Sequence, residues 1–272
     1  MKGIREPAVA GMFYSASASK LKDEVALLLE NAQISESFGN IAGLVSPHAG
    51  YLYSGKTAAY AFNSLGGKHY KTVVIISPSH REYFRGVSIY DGDAYRTPLG
   101  DVPVNKEMTE QLISGSRTIF KGIQGHRAEH AIEVQIPFLQ VILKDFSIVP
   151  VVLGDQNRNF VFELAEKLSG VVDEETLIVA SSDLSHFYTR SMADKLDSVV
   201  ENDIRENNYE KLQSDLETGK CEACGGGAIV ALMKTAGMTN RKNTRVLYRT
   251  DSGEVTGDYS EVVGYLSAVI YS

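Results

Sequence analysis

Four short apolar runs, Ile41–Ser46, Thr72–Ser77, Ile148–Leu153 and Leu177–Ser181, punctuate the chain, rich in Val and Ile and without strict alternation of polar positions. Runs of that length and composition predict strands covered on both faces. Between them, apolar residues recur at helical spacing. Leu21, Val25, Leu28 and Leu29 fall on one side of Lys20–Asn31, which predicts an amphipathic helix. Thr57–Leu65, Lys106–Ser114, Ala131–Leu143, Asn159–Val171, Ser191–Asn207 and Gly226–Thr235 read the same way. The ending, "VLYRTDSGEVTGDYSEVVGYLSAVIYS", instead alternates around Asp-Ser-Gly and Thr-Gly-Asp turn signals, as an antiparallel hairpin does. No Gly/Ser linker, like-charge block or solenoid repeat divides the 272 residues, so the expectation is one domain over 1–272. Its class is α/β: a three-layer α/β/α arrangement with a mixed, mainly parallel sheet and an antiparallel C-terminal edge. Loops at the carboxyl ends of the parallel strands are then the expected place for a site.

Composition narrows the classes of function. The net charge of −7 leaves no basic footprint for nucleic acid or an anionic membrane. No apolar run approaches the length of about 20 residues that spans a bilayer, and the charges and Pro7 in "MKGIREPAVAGMFYSAS" do not read as a signal peptide. Two cysteines are too few for a disulfide framework, so a reducing, cytoplasmic setting is expected.

The candidate chemistry sits where strands end. "GLVSPHAGYLYSG" and "VVIISPSHREYFRG" each close an apolar run with Ser-Pro and then deliver His48 or His80. Pro47 and Pro78 fix φ and remove a backbone donor, stiffening each turn. Two imidazoles on short stems at one sheet rim could share a metal; the ordinary alternative for each is a turn cap. A third strand end, "LIVASSDLSHFY", presents Asp183 and His186. A helical turn there would put both on one face, an acid orienting an imidazole or binding substrate. Equally, Ser-Ser-Asp is N-cap chemistry.

"GHRAEHAIEVQIPFL" carries His126, Glu129, His130 and Glu133. His126 and His130 are four apart, but Glu129 stands beside the second histidine, so the zinc-protease pattern H-E-x-x-H is absent. His130 and Glu133, three apart, would turn toward the cleft together or form an ordinary solvated pair. In "KCEACGGGAIVALMK", Cys221 and Cys224 make half of a four-cysteine zinc module, with no second half. A thiol at the start of a helix is expected to have a lowered pKa that favours metal ligation; the plain alternative is a small buried side chain. "CGGGA" could also cradle a phosphate, but lacks the lysine and spacing of a P-loop.

Together, "REPAVAGMFY", "SPHAGYLYSG", "SPSH", "TPLGDVPV", "EHAIEVQIPFL", "SSDLSH", "ACGGG" and "GYLSAVI" resemble, in order and number, the Memo family (the AmmeMemoRadiSam protein B-like group). The resemblance covers essentially the whole chain. It implies a fold similar to the LigB-type class III extradiol dioxygenases, non-haem iron enzymes with an α/β core. It places metal-site histidines on His48 and His80 and a cysteine ligand on Cys224, with Asp183, His186, His130 and Glu133 as acid/base or substrate groups around them. The dioxygenases use two histidines and a carboxylate, so a thiolate in the third position shifts the metal toward iron or copper of redox character, with zinc as a further option.

Two classes of function follow. One is a metal-binding oxidoreductase-like protein with an open coordination position for water, dioxygen or substrate oxygen. The other is a non-catalytic binding module that uses the His-rich pocket for an anionic peptide or small-molecule ligand. A metal-assisted hydrolase also suits the residues but lacks a clear nucleophile.

Overall fold

The four Val/Ile-rich runs lie side by side at the centre of one sheet in the computed structural model, which describes residues 3–272. In chain order the strands are β1 (Ile4–Arg5), β2 (Ile41–Ser46), β3 (Thr72–Pro78), β4 (Val87–Tyr90), β5 (Ala94–Thr97), β6 (Gly100–Pro103), β7 (Ile119–Gly122), β8 (Ser147–Leu153), β9 (Thr176–Ser181), β10 (His186–Tyr188), β11 (Asn243–Asp251) and β12 (Val262–Tyr271). The helices are α1 (Ala18–Asn31), α2 (Tyr51–Asn63), α3 (Lys106–Ile113), α4 (Ile136–Ile142), α5 (Arg158–Ser169), α6 (Arg190–Arg205), α7 (Tyr209–Glu217), α8 (Gly226–Met238) and α9 (Gly253–Thr256).

The large sheet runs β10-β12-β2-β9-β3-β8-β4-β7, with β11 also on β12. Strands β2, β9, β3 and β8 are mutually parallel. The C-terminal strand β12 joins them antiparallel through β2 and carries β11 and β10 antiparallel beyond it. On the opposite side β4 runs antiparallel to β8, a second reversal that the short, mixed sequence of β4 does not announce. Strands β1, β5 and β6 make a separate small sheet.

Alternation along the central strands divides the core in two. Val74, Ile76, Val149, Val151, Ile178 and Ala180 face one layer, with apolar residues of α3, α5, α6, α7 and α8. Val73, Ile75, Ile148, Val152, Leu177 and Val179 face the other, with α1, α2 and α4. Full burial of such side chains stabilises by about 1.5–3 kcal/mol each, which is why these runs need no polar face. The result is the expected α/β/α layering.

Two helices depart from their sequence expectation. Helix α2 begins at Tyr51, six residues before the predicted start. Gly55 interrupts its pattern, yet a Cβ there would lie 2.9 Å from Leu28, so the glycine lets α1 and α2 pack closely. The predicted Ala131–Leu143 helix is shorter: a single 3-10 turn, Glu133–Gln135, precedes α4. No helix among the described residues is long and apolar enough to cross a membrane.

Candidate metal centre

Register brings three loop starts to one rim. Ser46 pairs with Ser181 and Ile76 with Ala180, so the carboxyl ends of β2, β9 and β3 are level. His48 follows β2, His80 follows β3 and Asp183 follows β9. Cys224 arrives from the other end of the chain, in the turn before α8. His48, His80 and Cys224 offer ligand atoms all within 4.8 Å of one another, and Cys224 Sγ lies 3.1 Å from His48 Nε2.

The glycines after Cys224 explain how it gets there. A Cβ on Gly225 would sit 2.2 Å from the Ser181 carbonyl oxygen, and one on Gly226 would lie 2.5 Å from Leu216. Only bare backbone can press α8 this closely against the end of β9. The amides of this turn are already engaged: Gly225 N–H donates to Ser182 Oγ at 2.9 Å and Gly227 N–H to Gln156 Oε1 at 2.7 Å. The glycine run is a packing device, and these two amides are not free for a phosphate. Ser182 thus serves α8, while α6 has Thr189 at its N-cap.

Hydrogen bonding fixes the tautomers of both histidines. Ser181 Oγ donates to the Ala131 carbonyl at 2.7 Å and accepts from Gln135 Nε2 at 2.9 Å. Its single proton is used, so at its 2.9 Å contact with His48 Nδ1 the imidazole must donate. His48 Nε2 therefore presents a lone pair toward Cys224. His80 Nδ1 donates to Glu129 Oε1 at 2.9 Å, leaving its Nε2 as the acceptor. Glu129 also takes the backbone N–H groups of His80, His130 and Ala131 at 2.6, 2.9 and 3.0 Å. Burial pushes this carboxyl up, but the bonds from His80 and the amides outweigh it and hold it down at about 2. A carboxylate orienting a histidine in this way is a common support for metal ligands.

Helical spacing around His126 and His130 in the sequence gives no sign of a role for Glu129. Its relation to His80 is non-local. His130 joins the group from the same loop, its ring stacked on His80 with centroids 4.8 Å apart and edge-on to His48 at 5.4 Å. His80, Glu129 and His130 form a second potential ligand group. Burial, then the neighbouring His80, lowers His48 to about 3; burial, then His48, lowers His130 to about 4. Both are neutral near pH 7.

Other sequence-predicted residues are placed differently from expectation. Glu133 diverges from His130. Its buried carboxylate accepts hydrogen bonds from Arg5 and Tyr14, from Ala8 N–H at 2.8 Å and from Val9 N–H at 3.1 Å. Arg5 further reaches the carbonyls of His126 and Glu129. The "REPAVAGMFY" segment thus clamps the His126–Glu133 loop from outside the centre, because no continuous helix puts His130 and Glu133 on one face. His126 is also separate, hydrogen-bonded to Tyr95 Oη at 2.7 Å and the Ser88 carbonyl at 3.2 Å.

No helical turn joins Asp183 to His186 either; His186 opens β10. Asp183 instead clasps the loops that carry His48 and Cys224. Its Oδ1 accepts His48 N–H at 2.7 Å, its carbonyl accepts Cys224 N–H at 3.2 Å, and its own N–H points at Cys224 Sγ at 3.2 Å. Burial raises its carboxyl despite the His48 bond. The expected lowering of the Cys224 pKa is reversed: burial, then the Asp183 carboxylate, pushes the thiol well up. The centre therefore holds a protonated thiol beside the neutral imidazole of His48. Cys221 packs in the core, its thiol pushed up by burial to about 12.

The fold and this cluster define an α/β protein with a His/His/Cys group at the carboxyl rim of a largely parallel sheet. A profile of the Memo-like protein family matches residues 5–269, and the chain belongs to the Memo family. It is 40% identical to MEMO1 family protein Ta0237 of Thermoplasma acidophilum, over 97% of this chain and 98% of that one. MEMO1 family protein MJ0403 of Methanocaldococcus jannaschii is 34% identical over 99% of this chain and 100% of its own. Among solved structures, the uncharacterized protein JW3007 of Escherichia coli K12 superposes with a TM-score of 0.59 at 15% identity, covering 85% of this chain and 99% of that one. At that identity the likeness is one of fold.

Proposed function

We propose that the protein is a metal-dependent, oxidoreductase-like member of its family, with iron or copper held by His48 Nε2, His80 Nε2 and the Cys224 thiolate. One observation carries the reading. Each histidine gives its Nδ1 proton to a fixed acceptor, Ser181 or Glu129, so both Nε2 lone pairs are left for a third party beside one sulfur. Ligand atoms around a metal with bonds of 2.0–2.3 Å stand roughly 3.3–3.8 Å apart, so the observed grouping within 4.8 Å needs only a small closure.

A bound iron or copper would supply redox chemistry and an open coordination position. Zinc suits the same donors without electron transfer. The protein's own part is to hold and to move protons. The Cys224 thiol must lose its proton when metal binds, and the Asp183 N–H at 3.2 Å stabilises the resulting charge. His186 lines the cavity that Cys224 opens into and is placed to exchange a proton with a ligand there. Asp183, His130 and Glu129 position the ligand loops. Glu133 acts at a distance, through the loop it anchors.

A thiolate ligand persists in a reducing compartment, and we assign the protein to the cytoplasm. A binding role without chemistry would use the same cavity, but the carboxylates along its wall do not suit an anionic peptide. Anaerobic purification of the reduced protein, followed by elemental analysis and metal spectroscopy, tests the reading. Stoichiometric iron or copper with sulfur-ligation bands is expected; no metal uptake by reduced protein overturns it.

A further inference from the structure

A second cavity, of about 560 Å³, lies between α6 and β11, away from the His/His/Cys group. Five charged side chains line it, and four of them neutralise one another. Arg190 Nε donates to Asp251 at 2.6 Å, while Arg249 reaches Asp194 at 2.7 Å and Glu201, outside the cavity, at 2.8 Å. The fifth, Asp197, is left over: it makes no ion pair among the described residues.

Asp197 is also the buried one. It is 3% exposed, and its support comes from neutral Ser185, whose N–H donates to Oδ1 at 3.0 Å. The Ser185 hydroxyl is close by but makes no hydrogen bond of its own. Asp197 Oδ2 accepts no hydrogen bond and is not sealed off, so the small surface this side chain keeps lies on the cavity. The chain makes room for the acid: a Cβ on Gly264 of β12 would collide with Oδ2. Burial, set against the Ser185 bonds and the Arg249 charge, pushes this carboxyl up to about 6. At pH 7 it is therefore charged, buried and without a counter-ion. Buried charges are ordinarily paired, and the space open to a partner is the cavity.

We infer that this cavity is a separate ligand site for a small molecule carrying a protonated amine, whose N–H bonds to Asp197 Oδ2. The paired charges around it, Arg190 with Asp251 and Arg249 with Asp194, give the rest of such a ligand a polar wall with no surplus cation to hold an anion. The inference goes beyond the metal-centre reading and does not depend on it.

Butylamine tests it, with butyrate and 1-butanol as matched anionic and neutral probes, each titrated calorimetrically into the full-length protein at low salt. The amine should bind, with or without metal, and the other two should not. Asp197→Asn keeps an acceptor for Ser185 N–H and removes the charge. It should weaken the amine about tenfold or more, the worth of one charged hydrogen bond. The variant should nevertheless be at least as stable as wild type at pH 7. The folded carboxyl titrates above its usual range, so the stability lent by its protonated form is lost as pH rises through about 6. Glu210→Gln, on α7 and outside the cavity, should leave amine binding unchanged.

A second readout needs no variant. The amine binds ionised Asp197, so wild-type affinity should be level above pH 7 and fall about tenfold per unit well below pH 6. The other charged groups facing Asp197 are Arg190 and Asp194 from α6 and Arg249 and Asp251 from β11, all ion-paired. Butyrate or butanol binding as tightly as the amine, no measurable amine binding, or amine affinity indifferent both to Asp197→Asn and to acid overturns the inference.

Discussion

Cys224 Sγ stands 3.1 Å from His48 Nε2, although 176 positions separate the two residues. Their meeting depends on α8 docking against the end of β9, and that docking depends on Gly225. In Gly225→Ala the new Cβ would fall 2.2 Å from the Ser181 carbonyl oxygen, a backbone atom that cannot step aside. Overpacking of this kind costs about 1–3 kcal/mol. Urea unfolding should show that loss, and metal affinity should fall as Cys224 is displaced. A variant as stable and as metal-competent as wild type would refute the packing role.

Glu129 is expected to matter through His80. Glu129→Gln keeps the shape but replaces the carboxylate that fixes the His80 Nδ1 proton. Loss of such a supporting partner typically costs about 10–100-fold in metal affinity. Competitive metal titration at neutral pH measures it, and an unchanged affinity would show that His80 needs no such orientation.

Glu133 gives the opposite pattern. Glu133→Gln leaves the buried Arg5 charge without its partner, a loss on the order of 3–5 kcal/mol. Chemical denaturation should register it, while the metal affinity of the folded fraction stays within a few-fold of wild type. A selective loss of metal without loss of stability would put Glu133 back in the centre.

Metal affinity should rise with pH. The thiol of Cys224 lies well above its usual pKa, through burial and then Asp183, so at neutral pH it is protonated and each metal must displace that proton. Below the thiol pKa, one unit more of pH means about ten times more thiolate. His48, lowered to about 3, and His130, lowered to about 4, are already neutral and add little above pH 6. Affinity measured between pH 7 and 9 should therefore climb, and Cys224→Ser should flatten the climb. A wild-type affinity independent of pH would contradict the protonated-thiol account.

Much of the architecture was legible because it is locally encoded. The Val/Ile runs of β2, β3, β8 and β9 appear within one residue of their predicted bounds, since burial on both faces writes an unbroken apolar string. The short strands β4, β7 and β10 and the helix α7 carry no such string and went unread. At the site, Ser-Pro-His at two strand ends was readable from chain grammar. Glu129, Ser181 and the separation of His130 from Glu133 were not, because they rest on contacts between distant segments. The rise in the Cys224 pKa was also hidden: helix position predicts a fall, and only burial beside Asp183 reverses it.

The most direct measurement is anaerobic titration of the reduced wild type, Cys224→Ser and His186→Ala with iron(II) and copper(I). A hydroxyl is a far poorer ligand than thiolate for either ion, so Cys224→Ser should lose about 100-fold or more in affinity. His186→Ala, lacking only a cavity-wall imidazole, should stay within about tenfold of wild type, the milder end of losses outside the ligand set. Equal affinities in all three proteins would contradict a metal centre built on His48, His80 and Cys224.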